Sequence, residues 1–207
     1  MKKLLLSALF LSVFALSSAQ IKSSFGVKAG VNFSTLYAED VDDKNMLVNI
    51  NVGIVAVIPL TDFLGFQPEI LYSGKGAELK YSNILVEGKA KFNLAYIEVP
   101  LLLRMNLSEN FSVQAGPYIA YLINANIQNE TNNELFDSET ELDTSDFTKF
   151  DYGLAGGLEF DFSPIAVGAR YSYGMANIGK ERTVGGNSFT FPDAKNSTFS
   201  IYAVLRF

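Results

Sequence analysis

The chain has 207 residues, of which 48% are hydrophobic and 18% are charged, and it contains no Cys, no His and no Trp. Without Cys and His it can form no Ser-His or Cys-His nucleophilic site, no thiolate or imidazole metal site and no disulfide. The 16 basic and 22 acidic residues give a net charge of −6, so no basic surface is available to neutralise nucleic-acid phosphates. We therefore expect one folded domain without a nucleic-acid partner.

The first segment of the chain has the features of an export signal. A basic pair, Lys2 and Lys3, precedes an apolar run that ends at Leu16, and small residues follow. The run is shorter than the ~20 apolar residues that a membrane-spanning helix needs, which favours a cleaved signal peptide over a membrane anchor. We predict a signal peptide over residues 1–19 and an exported domain over residues 20–207, whose net charge is −8 after the loss of the two lysines.

The exported domain is dominated by alternation of apolar and polar residues, a period of two that predicts strands. In the first segment, Phe25, Val27 and Val31 alternate with Gly26 and Lys28. The alternating segments span residues 25–33, 48–58, 66–73, 95–104, 111–121, 151–162, 165–173 and 199–207. Each is about 10 residues long, which is the length that a tilted strand needs to cross a bilayer.

The connections between these segments alternate in length. The short connections are residues 59–63, 106–110 and 163–164, and the long polar ones are residues 35–46, 74–91, 123–149 and 175–196. Short turns at one end, long loops at the other and an even strand number are typical of a transmembrane β-barrel. We therefore predict an all-β, eight-stranded antiparallel transmembrane β-barrel with periplasmic termini, an apolar face toward lipid and a narrow lumen filled by side chains.

Three prolines fall inside the predicted strands, at Pro68, Pro100 and Pro117. Proline has no backbone N–H to donate to a ladder, and a closed barrel has no free edge where the missing donor would face solvent. We therefore expect β-bulges at these residues, or strand boundaries a few residues away from the predicted ones.

Several phrases of the sequence are distinctive. They are FQPEILYS at 66–73, YIEVPLLL at 96–103, AGPY at 115–118, DYGL at 151–154 and ARYSYG at 169–174. Together they resemble the PorT-like, or porin-family, outer-membrane β-barrel proteins over the whole exported domain. The resemblance implies an OmpA/OmpX-like eight-stranded meander in a Gram-negative outer membrane, with the three prolines as recurrent parts of the family phrases. PorT itself is associated with protein secretion and gliding machinery, whereas most relatives have no established activity.

The end of the chain carries apolar residues at alternate positions. This pattern, which includes a terminal aromatic residue, resembles the C-terminal signal that the barrel-assembly machinery reads, although a last strand can also simply end in Phe. The residues of the predicted signal are Phe199, Ile201, Leu205 and Phe207. We therefore expect outer-membrane lipid and the assembly machinery as partners.

Three charged residues fall on the predicted inward face near mid-strand: Glu69, Glu98 and Arg170. The third and seventh strands are opposite each other in an eight-stranded barrel, so Arg170 can reach across to Glu69, with Glu98 on the neighbouring fourth strand. Buried charges need partners, which favours a structural plug made of ion pairs. A gate for small ions and a glycosidase-like carboxylate pair are the alternatives. A second inward set, Arg104, Glu159 and Arg206, is expected nearer the short turns.

The segment 129–151 is strongly acidic, with eight Asp and Glu residues against Lys149. A solvated external loop is the simplest interpretation. Four acidic residues at alternate positions could also offer oxygen ligands to Ca²⁺, but no EF-hand spacing accompanies them, so no metal site is predicted. These four residues are Asp137, Glu139, Glu141 and Asp143. Contact with a partner in the envelope is the other interpretation.

The sequence thus predicts a non-enzymatic integral outer-membrane protein, without a cofactor, that displays four external loops and has a structural or interaction role in the cell envelope. A secretion-apparatus component of the PorT type and a narrow gated pore are the alternatives. Two rivals from other classes are a lipid-acting outer-membrane enzyme, whose Ser-His form is excluded here, and a soluble exported β-sandwich that binds a ligand.

Overall fold

The computed structural model describes residues 23–37, 44–82, 87–131, 138–141, 147–179, 181–184, 187–190 and 194–207. Eight long antiparallel strands pair in chain order, and the first also pairs with the last, so the sheet is closed. The strands are β1 Ser24–Tyr37, β2 Leu47–Pro59, β3 Leu64–Ser82, β4 Glu87–Asn106, β5 Phe111–Thr131, β6 Phe150–Asp161, β7 Ile165–Gly174 and β8 Lys195–Arg206. The predicted eight-stranded antiparallel β-barrel is confirmed.

The two faces of the barrel differ as the alternation predicts. On β1, Phe25 and Val27 are 63% and 48% exposed, whereas Lys28 and Asn32 between the outward residues are each 1% exposed. The same pattern continues on β8, where Ile201 points outward and the neighbouring inward side chains are buried. An apolar outer surface and a polar interior are the opposite of a soluble protein and fit a barrel surrounded by lipid.

Three strands are much longer than predicted. β3, β4 and β5 have 19, 20 and 21 residues, and they continue into the segments 74–91 and 123–149 that the sequence pattern assigned to loops. The apolar alternation stops where a strand leaves the hydrocarbon, although its backbone pairing continues beyond that point. Within the described residues, no helix is long and apolar enough to cross a membrane.

Short strands add to the loop end of the barrel. Lys44–Asn45 pairs with β3, and Ser138–Glu141 pairs with β5. Glu181–Val184 and Asn187–Thr190 form a separate two-stranded hairpin between β7 and β8. Backbone pairing therefore extends into segments of the loop end that the sequence pattern assigned to polar loops.

The opposite end carries the short turns. Leu64 N donates to Thr61 Oγ1 at 2.9 Å in the turn after β2, and Asn110 Nδ2 donates to Asp161 O at 2.8 Å across two turns. Phe207 N also donates to Phe25 O at 2.8 Å, so both ends of the described barrel meet here. Because short turns are periplasmic in outer-membrane barrels, this is the periplasmic end.

Of the two expectations for the prolines, the one of bulges is wrong, and the strand boundaries do differ from the predicted ones, although all three prolines stay inside β3, β4 and β5. The pairing register is the same on both sides of Pro68, Pro100 and Pro117, and the register shift between β4 and β5 lies at Ala95 and Tyr96 instead. The missing N–H groups interrupt the pairing locally without displacing the strands, because the flanking pairs hold the register.

Gly76 in β3 has a backbone that other residues rarely adopt, with φ at 143°, and an added Cβ would lie 1.8 Å from Phe92 O. Replacing Gly76 with Ala is expected to lower the free energy of unfolding by about 3 kcal/mol, through backbone strain and the clash with β4. Gly156→Ala is the matched control, because its Cβ would meet its nearest atom at 3.9 Å. Urea unfolding followed by heat-modifiable gel mobility measures both, and equal midpoints would contradict the prediction.

Candidate functional site

The interior of the barrel holds three groups of charged side chains. The central cluster consists of Lys28 on β1, Glu69 on β3 and Arg170 on β7, which are at most 3% exposed. Arg170 donates from Nη1 and Nη2 to the two carboxylate oxygens of Glu69, both at 2.7 Å. Lys28 Nζ lies 3.0 Å from Glu69 Oε2. The carboxylate of Glu69 therefore contacts two buried cations, Arg170 on the opposite wall of the barrel and Lys28 on β1.

Neutral side chains complete the central cluster. Gln67 Nε2 donates to Glu69 at 2.8 Å, and Arg170 donates to Gln114 Oε1 at 2.8 Å. The Tyr202 ring centre is 3.6 Å from Lys28 Nζ and 5.3 Å from the Arg170 guanidinium carbon. The Tyr202 ring thus adds cation–π contacts to both cations, which is a favourable way to bury positive charge.

The outer cluster lies on the external side and consists of Lys75, Glu98 and Asp151. Lys75 Nζ is 2.7 Å from Glu98 Oε2 and 3.2 Å from Asp151 Oδ2. Tyr118 Oη and Asn196 Nδ2 donate to the same oxygen of Asp151, at 3.2 Å and 2.9 Å. One buried cation therefore lies between two buried carboxylates, which leaves the outer cluster with a charge of −1.

The periplasmic cluster consists of Arg104, Glu159, Asp161 and Arg206. Arg104 contacts Glu159 through Nη1 and Asp161 through Nη2, both at 2.5 Å. Arg206 pairs with the same two carboxylates. Each carboxylate of this cluster contacts both guanidinium groups, so each keeps one cationic partner if the other is removed. The two carboxylates of the outer cluster share a single lysine. The periplasmic cluster opens on a cavity of about 460 Å³ among the short turns.

The charges of the three clusters cancel. The central cluster carries +1, the outer cluster −1 and the periplasmic cluster zero, because it pairs two cations with two anions. Arg170 and Glu98 both line a void of about 10 Å³ between the central and outer clusters. Glu98 contacts Lys75 directly, and Arg170 contacts Glu69. The central and outer clusters therefore attract each other only through their opposite net charges, across the void.

An apolar cap lies on the external side of the charged clusters. Leu94, Leu122, Phe147 and Ile178 are buried against one another there. Thr148 N donates to Ile178 O at 2.8 Å, and Phe147 and Ile178 are 5% and 6% exposed, so the residues just before β6 and just after β7 fold inward. The lumen thus contains apolar side chains at its external end and the ion pairs of the periplasmic cluster at its other end.

Glu69, Glu98 and Arg170 are predicted from the sequence as lumen charges, whereas Lys28, Lys75 and Asp151 are not. Lys28 occupies an inward position of the first alternating segment, so the alternation of that segment places its charge in the lumen. Lys75 fell in a predicted loop. Asp151 was counted with the acidic external segment, and this assignment is wrong, because Asp151 is 3% exposed inside the barrel.

The remaining sequence-predicted residues lie elsewhere. The four residues of the predicted assembly signal are exposed outward at the end of β8, and that role stays a prediction; they are Phe199, Ile201, Leu205 and Phe207. Asp137, Asp143 and residues 1–19 lie outside the described residues. Glu139 and Glu141 lie on the short strand that pairs with β5. In the part of the chain that the structure describes, no three acidic side chains are placed to hold a metal ion.

Comparisons with known proteins agree with the fold. The family model described as "Outer membrane protein beta-barrel domain" matches residues 16–179. The attachment invasion locus protein Ail of Yersinia pestis has a TM-score of 0.51 at 14% identity, over 90% of this chain and 100% of that chain. Neisserial surface protein A has a TM-score of 0.48 at 13% identity, with the same coverage of 90% and 100%.

The outer-membrane protease OmpT from Escherichia coli has a TM-score of 0.41 at 9% identity, over 89% of this chain and 95% of that chain. No curated protein matches the chain. At 14% identity the likeness to Ail shows the fold alone, whereas the family model covers most of the chain. The chain therefore belongs to the outer membrane protein beta-barrel domain family and is located in the outer membrane.

Proposed function

We propose that this chain is a non-enzymatic outer-membrane barrel whose lumen is a structural plug and whose role in the cell envelope is exerted at its external end. The observation that carries the proposal is the filled interior. Three charged clusters, which together carry no net charge, and an apolar cap occupy the lumen, and the void of about 10 Å³ between the central and outer clusters has room for about one water molecule.

The contacts of the carboxylates support a non-enzymatic role. A glycosidase-like pair needs one carboxyl group that can reach substrate and a second placed across the scissile bond. Glu69 instead accepts two hydrogen bonds from Arg170, and Glu98 lies against Lys75, with both carboxylates buried. The chain also has no His or Cys to serve as a base or a thiolate nucleophile.

A narrow gated pore is the second candidate, because the periplasmic cavity leads toward the charged clusters. Two features argue for the plug instead. The ion pairs would have to break in more than one cluster, and the apolar cap of Leu94, Leu122, Phe147 and Ile178 would have to open as well. A change in one ion pair should therefore not create a conducting path.

Conductance in planar bilayers tests the plug. Wild type and Arg170→Ala are both expected to give near-zero steady currents, because the outer cluster, the periplasmic cluster and the cap remain in place. Heat-modifiable gel mobility verifies that each inserted protein is folded. A stable conductance of Arg170→Ala above that of wild type would establish the gate and contradict the plug.

The PorT-like motifs support a narrower role, as a component of a secretion apparatus. Among these motifs, DYGL at 151–154 and ARYSYG at 169–174 supply Asp151 and Arg170 to the lumen clusters. These motifs thus supply charged residues to the interior of the barrel. A protein partner in a secretion apparatus would instead bind the external end. Crosslinking from the exposed Lys149 in the native envelope, followed by identification of the attached proteins, tests for such an apparatus.

A further inference from the structure

A groove of about 450 Å³ crosses the lipid-facing surface of β1, β2 and β3. Ala56 and Pro68 form its floor, and Ile54 and Ile70 form its wall on the external side. Phe25 closes it toward β1. The groove is therefore a concave site on a surface that is otherwise covered by large apolar side chains.

The pairing of the strands explains the groove. Ala56 lies beside Phe25 of β1, and Val55 pairs with Glu69, which places Ala56 level with Pro68. The ladder between β2 and β3 is interrupted at this level and resumes at Ile58, because proline offers no N–H. A methyl group and a pyrrolidine ring thus lie side by side between rows of larger side chains.

The groove lies in the periplasmic half of the membrane. Ala56 is three residues from Pro59, the last residue of β2, which is roughly 10 Å along a strand that rises ~3.3 Å per residue. The apolar band of such barrels is about 25 Å tall, so the groove faces the periplasmic leaflet. Phe207, 77% exposed at the end of the last strand, lines the same groove.

The lining of the groove carries no exposed charge. Glu69 contributes to the wall, but its carboxylate is turned inward to Arg170 and Lys28, and the residue is 1% exposed. The groove is also continuous with the lipid-facing surface of β1 and β2, where Val27 and Val52 are exposed. Hydrocarbon is therefore the environment that this site meets in the outer membrane.

We propose that the groove is a binding site for one acyl chain of a glycerophospholipid from the periplasmic leaflet. A chain that lies in the groove gains contacts on three sides, from the floor, from the isoleucine wall and from Phe25, whereas lipid against the convex barrel gains them on one. The groove thus retains its lipid after the surrounding lipid has been exchanged for detergent.

Lipid retention by the full-length folded barrel tests this site. The protein is extracted from outer membranes, exchanged into lipid-free detergent and examined by native mass spectrometry for bound phospholipid. Ala56→Phe fills the groove, and Ala56→Val fills it in part. Ala203→Phe is the matched control, because Ala203 also faces lipid but pairs with Ala29 and Val167, which do not line the groove.

Wild type and Ala203→Phe are expected to keep one phospholipid per barrel, Ala56→Val to keep less and Ala56→Phe to keep none. Heat-modifiable mobility verifies the fold of each variant, and Ala56→Val decides the matter if the larger substitution does not fold. Loss of all lipid from wild type, or equal retention by wild type and the Ala56 variants, would overturn the site.

Discussion

Replacing Glu69 with Leu is expected to lower the free energy of unfolding of the barrel by about 3–5 kcal/mol, the cost of breaking a buried ion pair by removing one partner. Glu69 is the anion of the central cluster, and its loss leaves Arg170 and Lys28 close together with no carboxylate between them. Urea unfolding in lipid vesicles, followed by heat-modifiable gel mobility, measures the change.

Two further variants separate the ion pair from the packing around it. Glu69→Gln keeps the shape and hydrogen-bonding capacity of the side chain but removes its charge, so an intermediate loss is expected. Replacing the whole cluster by apolar residues, Lys28→Met with Glu69→Leu and Arg170→Met, is expected to recover most of the stability, because no buried charge then lacks a partner.

The control for this series is Glu109→Gln. Glu109 lies exposed in a short turn, where removal of a charge is expected to change the free energy of unfolding by less than about 0.5 kcal/mol. Equal midpoints for Glu69→Leu and Glu109→Gln would show that the central cluster contributes nothing to stability and would remove the argument for a structural plug.

The strands were predictable because the membrane imposes a simple rule on them. Each outward position within the bilayer must be apolar, so Val27, Ile54 and Ile201 mark three strands and their orientation without any knowledge of their neighbours. The rule ends at the membrane surface. Gly76 and the residues that follow it in β3 are held by backbone pairing to β4, which leaves no period of two in the side chains.

The central cluster was predictable in part for a geometric reason. In a closed barrel of eight strands, β3 and β7 are opposite, which accounts for the contact between Glu69 and Arg170 across the lumen. The partner of Glu98 could not be found in this way, because Lys75 lies in the part of β3 that extends beyond the predicted segment. The number of strands and their order cannot identify a partner that lies outside the predicted strand segments.

The balance of charge in the lumen also changes the interpretation of the acidic segment. Because the three clusters carry no net charge, the −8 of the exported domain belongs to residues outside them. Asp151 is not part of that excess, since it balances Lys75 inside the barrel. The excess of acid in residues 129–146 of the sequence remains.

Replacing Lys75 with Met is expected to lower the free energy of unfolding by about 3–5 kcal/mol, because Glu98 and Asp151 would then face each other without the cation that lies within 3.2 Å of both. The same urea titration measures the loss. Adding Glu98→Gln and Asp151→Asn to Lys75→Met is expected to restore much of the stability, since neutral amides replace the repelling carboxylates.

Arg104→Met is the matched comparison, because it also removes one buried cation from two carboxylates. Arg206 still pairs with Glu159 and Asp161 in that variant, so the expected loss is about 1–2 kcal/mol, less than for Lys75→Met. Equal losses would mean that burial alone, and not the number of cations left beside the carboxylates, sets the cost of each substitution. A smaller loss for Arg104→Met would instead show that the outer cluster depends on its single lysine.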